Sequence, residues 1–164
     1  MKLIQDILCK EVEWIRLDLD LDNAKFKHST VNEFIAEMKK LTVDQKYPFF
    51  FVNASTVEYD LEKPDDIIVS VGEIVIATTA LANFTSEQRD EKVFNPILSP
   101  FLNQFLYRMD YNQEAAIYKA GKIKYQYRYG VQGKTGTESD ILDDAVCAIQ
   151  LTNFQFRILT IKNN

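Results

Sequence analysis

Between Ala145 and Ile161 apolar residues alternate with polar ones, and partway along the alternation changes phase. Cys147, Ile149 and Leu151 share one parity, while Phe154, Phe156 and Ile158 share the other. A two-residue period belongs to a strand with one buried face, and a slip of one residue turns every later side chain to the opposite face. Both apolar sets can meet one core only if the backbone absorbs the slip, so a β-bulge near Thr152-Asn153 is expected. A sheet with a long, interrupted C-terminal strand is the frame into which everything else must fit.

The N-terminal part, residues 1–44, reads as helical instead. Leu3, Ile4, Ile7, Leu8, Val12 and Ile15 follow the three-four spacing of one helix face. Thr30 and Glu33 form a capping box ahead of a second helix, whose stripe is Val31, Phe34, Ile35, Met38 and Leu41. From Tyr47 the texture changes. Tyr47-Pro48-Phe49-Phe50-Phe51-Val52 is aromatic and β-branched, and Asp65 to Thr78 is a long strand or bent strand pair with Gly72 as a candidate bulge. A helix capped by Ser86 follows. Pro96 is expected to break it, and Ser99-Pro100 to restart it with Phe101, Leu102, Phe105, Leu106 and Met109 on one stripe.

Ile117 to Tyr129 reads as a hairpin turning at Ala120-Gly121. In its second arm Ile123, Tyr125, Tyr127 and Tyr129 alternate with Lys122, Lys124, Gln126 and Arg128. The fold expected is a single α+β domain over residues 1–164: N-terminal helices, then a mainly antiparallel sheet over 45–164, with a long broken helix on one face and a protruding hairpin.

Composition narrows the function. Hydrophobic residues make up 46% of the 164 and charged residues 26%, ordinary values for a globular chain. No apolar run approaches the ~20 residues of a membrane span. Asp6 interrupts the apolar stretch a secretion signal would need, so synthesis in a cytoplasm is expected, with Cys9 and Cys147 as buried reduced thiols. The net charge is −5, from 19 basic and 24 acidic residues. Between Asp110 and Lys134 two acids (Asp110, Glu114) face five bases (Lys119, Lys122, Lys124, Arg128, Lys134), so this segment is basic on an acidic body. Such a segment suits an acidic protein surface better than general nucleic-acid binding.

No constellation nominates a catalytic centre, a cofactor or a metal. Gly130-Val-Gln-Gly133-Lys134-Thr135 invites comparison with a phosphate-binding P-loop, but Arg128 stands where that motif needs its first Gly. Asp18, Asp20 and Asp22 resemble the first ligands of a calcium loop, yet Asn23 and Ser29 occupy the positions of its Gly and bidentate Glu. A short strand or extended link with a solvated acidic face explains them more simply. His28 is the only histidine and lies in a cationic stretch before a helix, suiting a surface or capping role. Asp65-Asp66 and Asp143-Asp144 sit beside turn residues, where carboxylates are solvated or cap amides.

The basic, tyrosine-rich arm carries the functional signal. Its pattern fits a half-buried core strand, a protein interface in which Tyr and Arg are enriched, or a platform on which bases stack. The expected subunit interface is Lys122, Lys124, Tyr125, Tyr127, Arg128 and Tyr129.

Taken in order, Tyr47-Pro48 opening an aromatic strand, the strand Ile67 to Ala77, Phe84-Thr85-Ser86 leading into a helix, Val93-Phe94-Asn95-Pro96-Ile97-Leu98 within it, the basic tyrosine stretch and the closing strand Cys147 to Leu159 form a series. Over residues 45 to 161 this series resembles the tail-terminator and head–tail connector (neck ring) proteins of tailed phages. The resemblance implies a structural virion protein, not an enzyme, that forms a ring of six or more copies at the capsid–tail junction. Its implied partners are other copies, neighbouring neck and tail proteins, and genomic DNA that passes without specific binding. No membrane or cofactor is implied. The alternatives are a small nucleic-acid-binding module using the Tyr-Lys arm, or an enzyme with an unrecognised carboxylate pair.

Overall fold

A computed structural model of the protein describes residues 3–63, 66–132 and 139–159. Helix α1 (Ile4–Asp18) buries Ile4, Ile7, Leu8, Val12 and Ile15 on one stripe, as the three-four spacing requires. Strand β1 (Lys25–Ser29) follows, then α2 (Val31–Met38), α3 (Val43–Lys46), β2 (Phe49–Asn53), β3 (Val57–Lys63) and β4 (Asp66–Thr79). A continuous helical run spans 86–110. It comprises α4 (Ser86–Arg89), a π-helical segment (Asp90–Leu98) and α5 (Ser99–Asp110). Last come β5 (Ala115–Lys119), β6 (Lys122–Gln126), the short pair β7 (Val131–Gln132) and β8 (Ser139–Asp140), and β9 (Val146–Ile158).

Seven strands form one mostly antiparallel sheet, in the order β1-β2-β4-β9-β5, with β3 also paired to β4 and β6 also paired to β9. Among the described residues only β1 and β2 run parallel in it. The architecture is α+β. No described helix is long and apolar enough to cross a membrane.

The phase change in β9 has a different cause from the bulge expected. The β4–β9 ladder keeps one register through the site, with Val71 opposite Phe154 and Glu73 opposite Thr152. Instead, both strands change parity together. Ile67, Val69 and Val71, then Ile74 and Ile76, all reach the larger core, as do Phe154, Phe156 and Ile158 and then Leu151, Ile149 and Cys147. Asn153 takes a left-handed backbone (φ 58°), a conformation that Asn tolerates better than most residues. Opposite it, Gly72 is indispensable, because a Cβ there would lie 2.7 Å from Cβ of Thr56.

The same line crosses the neighbouring rows. β2 and β3 form one row along β4, interrupted by a 3₁₀ turn at Ala54–Thr56. On the other side β5 and β6 form one row along β9, interrupted at Ala120-Gly121. The expected hairpin is therefore corrected: the two segments pair with β9 and not with each other. Gly121 presses against β9 instead of turning the chain, so close that a Cβ would meet the Thr152 carbonyl oxygen at 1.8 Å. Alternation alone does not distinguish a hairpin arm from the second half of a bent strand.

This bent sheet carries helices on both faces. On one, α1 and the 86–110 run bury Phe94, Leu98, Phe101 and Phe105 against the strands. On the other, Phe34 and Met38 of α2 cover Phe49, Phe51, Val75 and Ala77. β2 is thus buried along its full length. Phe34 stacks on Phe51 at 4.2 Å and meets Phe49 edge-on at 4.9 Å, and each such aromatic pair contributes about 1 kcal/mol beyond its buried area.

Other expectations change. Residues 1–44 are not wholly helical, since Lys25–Ser29 is an edge strand containing His28. Asp18 ends α1, and Asp20 has a positive φ of 54° in the turn that follows, so these acids belong to a helix end and not an extended link. Thr85, not Ser86, caps the long helix, in a capping box with Gln88. Pro96 does not break that helix. It lies inside the π segment and Pro100 lies just beyond it, and the wider winding lets the helix continue past two residues that cannot donate an N–H. Cys147 is buried as expected, but Cys9 is exposed, off the apolar stripe of α1.

Candidate assembly surfaces

The row β5–β6 is an edge of the sheet. Among the described residues no strand pairs with its outer side. Lys119, Lys122, Ile123, Lys124 and Tyr125 are exposed along it. Residues 115–128 contain four bases (Lys119, Lys122, Lys124, Arg128) and no acid. Lysines on an open edge block indiscriminate strand pairing while leaving the edge available to an acidic partner.

The six residues singled out in the sequence divide here. Lys122, Lys124 and Tyr125 share the exposed strand. The Tyr125 and Tyr127 rings pack on Phe94 of the π segment, with centroids at 5.4 and 5.0 Å. The Tyr127 hydroxyl donates to Asp90 Oδ1 at 2.6 Å, and that hydrogen bond raises its pKa. Arg128 turns away to pair with Asp140 at 3.5 Å. Tyr129 leaves the strand face altogether and packs in the smaller core, where burial, followed by the Glu73 charge, pushes its hydroxyl up to about 12.

Arg89 fixes the end of this row. It is 3% exposed. Its Nη1 donates to the Tyr127 carbonyl (2.9 Å) and Cys147 Sγ (3.3 Å), its Nη2 to the carbonyls of Leu81 (3.2 Å) and Ala82 (3.3 Å), and its Nε to that of Phe84 (3.2 Å). One guanidinium thus joins the loop after β4, the start of the long helix and the chain leaving β6. The Cys147 thiol is pushed up by burial, against an opposing pull from Arg89. The sequence held a signal for this residue: a cation in the first turn of a helix opposes the helix dipole, so it must have other partners.

A second surface lies between α1 and α5. Trp14, Tyr107 and Tyr111 are 47%, 61% and 73% exposed around a groove of about 500 Å³. The Tyr107 and Tyr111 rings lie 4.8 Å apart, and Arg108 stands over Trp14 at 5.6 Å. Beneath them Glu11 is buried, accepting from Arg108 Nε (2.7 Å) and Asn112 Nδ2 (2.8 Å), while Arg108 Nη1 also reaches Asp18 at 3.1 Å. The groove is therefore preorganised by a charge network. Its aromatics were missed in the sequence, although Trp14 and Tyr107 fall off the apolar stripes of their helices.

Acidic groups elsewhere are held structurally. Glu73 accepts from Asn53 (2.9 Å) and Gln150 (2.7 Å), and Gln150 in turn accepts from Gln126 (2.6 Å), a polar ladder across four strands. Asp144 pairs with buried Lys46 at 2.7 Å and accepts from the Tyr47 hydroxyl at 3.2 Å. No three His, Cys, Asp or Glu side chains cluster as metal ligands would among the described residues. Gly130, where the P-loop comparison starts, has a φ of 72°. Gly133, Lys134 and Thr135, like Asp65, lie outside the described residues.

Tyr47, raised by burial and then by Asp144, and Tyr129 give the protein an alkaline limit. Both keep their protons in the folded state above the ordinary tyrosine value of about 10. The unfolded chain releases those protons first, so stability is complete below about pH 10 and falls as the pH rises towards 12. Tyrosinate absorbance should show these two of the eight tyrosines ionising only as circular dichroism is lost. The Tyr129→Phe variant should weaken this dependence. Ionisation of all eight ahead of any loss of structure would refute the assignment.

Comparison with protein-family models gives no match, and a search of curated proteins finds no relative.

Proposed function

We propose that the chain is a structural subunit of a tailed-phage virion, forming a ring of six or more copies at the head–tail junction. The ring joins tail to capsid and lets DNA pass. The observation that carries this reading is the presence of two unlike, exposed surfaces on one fold: the basic edge row β5–β6 and the aromatic groove between α1 and α5. A contact between unlike surfaces is heterologous, and repeated by a closing rotation it builds a ring. Support also comes from the order of elements over residues 45 to 161, which resembles the connector and terminator proteins.

The charge balance fits the same role. With the basic segment turned to a neighbouring subunit, the acidic remainder faces the bore and keeps the passing duplex from sticking. Base stacking by the tyrosine row is less favoured, because Tyr125 and Tyr127 already place their rings on Phe94 and Tyr129 packs, partly buried, against the smaller core. The test is negative-stain imaging of the concentrated protein. Closed annular particles with an open centre are expected, and open filaments or isolated subunits would refute the reading.

A further inference from the structure

Resting on the ring reading, we propose that the basic strand β6 docks on the outer edge of β3 in a second copy, so that one sheet runs on from copy to copy. Among the described residues no strand pairs with the outer side of β3. Its seven residues, Val57–Lys63, hold three acids (Glu58, Asp60, Glu62) against one base (Lys63). Glu58 and Asp60 are exposed, and among the described residues no cation pairs with either. The row β5–β6 is the reverse, with four bases and no acid over residues 115–128. Opposite charges facing each other across two strands stabilise the pair, and like charges destabilise it. Two copies of β3, or two of β6, are thereby kept apart.

Direction and face agree as well. β3 is antiparallel to β4, β4 to β9 and β9 to β6, so β3 and β6 run in opposite directions. Laid edge to edge with their sheets facing the same way, they form an antiparallel ladder. Val57 and Tyr59 turn to the larger core, which leaves Glu58 and Asp60 on the opposite face. Ile123 and Tyr125 pair with Leu151 and Ile149 of that same core, which leaves Lys122 and Lys124 on the opposite face too. One register then sets Lys122 against Asp60, Ile123 against Tyr59 and Lys124 against Glu58. In it β6 ends at Gln126, opposite Thr56, and stops short of Ser29, which ends β1 beside Asn53.

Two other surfaces fit less well. The groove beside Trp14 is lined by Lys10 and Arg108 as well as by Glu11 and Glu114, and each of those acids already has a basic partner. Charge therefore does not draw the basic row into it. Strand β1 could offer Lys25 and Lys27 to β3, but Lys27 is already paired with Glu37. β1 and β3 also lie on the same side of β4. A contact between them needs a half-turn, which closes two copies and builds no larger ring, whereas β3 and β6 lie on opposite sides of the sheet.

Charge reversal with rescue tests this in the whole chain. The double change Glu58→Lys, Asp60→Lys should weaken association at least tenfold by light scattering, and so should Lys122→Glu, Lys124→Glu. All four side chains are exposed, so circular dichroism should show both variants folded. Combining the four changes in one chain should restore the parent assembly, which mere destabilisation would not do. The register is read by mixing Glu58→Cys chains with Lys124→Cys chains, both with Cys9→Ser, under a mild oxidant. Copy-to-copy disulfides joining positions 58 and 124 are expected in the mixture, identified by mass spectrometry. Failure of the rescue, or no such disulfide in a protein that still assembles into rings, would overturn the inference and leave the ring reading standing. A wild-type protein that stays a single chain, or stops at two copies, would overturn both.

Discussion

Replacing Gly121 with alanine is expected to destabilise the protein by about 3 kcal/mol, the upper range for overpacking a tight site. The added methyl would stand 1.8 Å from the Thr152 carbonyl oxygen and 2.7 Å from the carbonyl carbon and oxygen of Asn153. Those atoms belong to β9, which is held on its other side by the long β4 ladder and cannot retreat. The edge row must move instead, and the pairs Lys122–Thr152 and Lys119–Gln155 on either side of Gly121 would open. Urea denaturation should show a lower midpoint with the same slope, as befits a change in stability alone. The neighbouring change Ala120→Gly should cost no more than about 1 kcal/mol, the usual entropic penalty of glycine. A Gly121→Ala midpoint within error of the parent would mean that the row does not cross β9 where described.

Arg89→Met should be comparably damaging, at about 3 to 4 kcal/mol. Methionine keeps much of the apolar stem but supplies no donor, so the carbonyls of Leu81, Ala82, Phe84 and Tyr127 and the Cys147 sulfur lose a shared partner. Each buried acceptor left unsatisfied costs roughly 1–3 kcal/mol, offset where water can enter. Arg89→Lys should recover only part of the loss, since an ammonium is a point charge and cannot span acceptors on three chain segments. Reactivity of Cys147 towards a thiol reagent reads the local consequence, in a background where the exposed Cys9 is changed to serine. The thiol should react at least tenfold faster in Arg89→Met than in the parent. Equal rates would show that Arg89 does not close this corner.

The sequence made the elements readable where one periodicity acted alone. The stripe of α1, the capping box at Thr30 and Glu33, and the buried aromatic run at Phe49 each follow from a local rule, and each is present. It was less informative wherever two segments had to agree. The phase change in β9 was visible, but the matching change in β4 became meaningful only when the two strands were paired, so a bulge was expected where a shared bend exists. The continuation of β5 into β6 depends on Gly121 meeting a carbonyl distant in sequence, which alternation does not encode. Strand β1 was hidden because Lys25-Phe-Lys-His-Ser29 is short and basic, and its pairing with β2 supplies what its own propensity lacks.

The assembly surfaces show the same division. Lys122, Lys124 and Tyr125 could be found by their alternation, whereas Arg128 and Tyr129 follow bends that send them to Asp140 and to the smaller core. Trp14, Tyr107 and Tyr111 form a groove only because α1 packs beside α5, a contact fixed by buried Glu11 and by Arg108. No spacing within either helix announces that meeting.

The most direct test of unlike surfaces closing into a ring is the solution mass of the purified wild-type protein across a wide concentration range. Light scattering should show the mass rising and then holding at a fixed multiple of the single-chain value, six or greater, because a closed ring has no free surface left to extend it. A plateau at two copies would indicate a symmetric contact, growth without limit an open filament, and an unchanging single-chain mass no such contact at all. Any of these three results would contradict the closed ring.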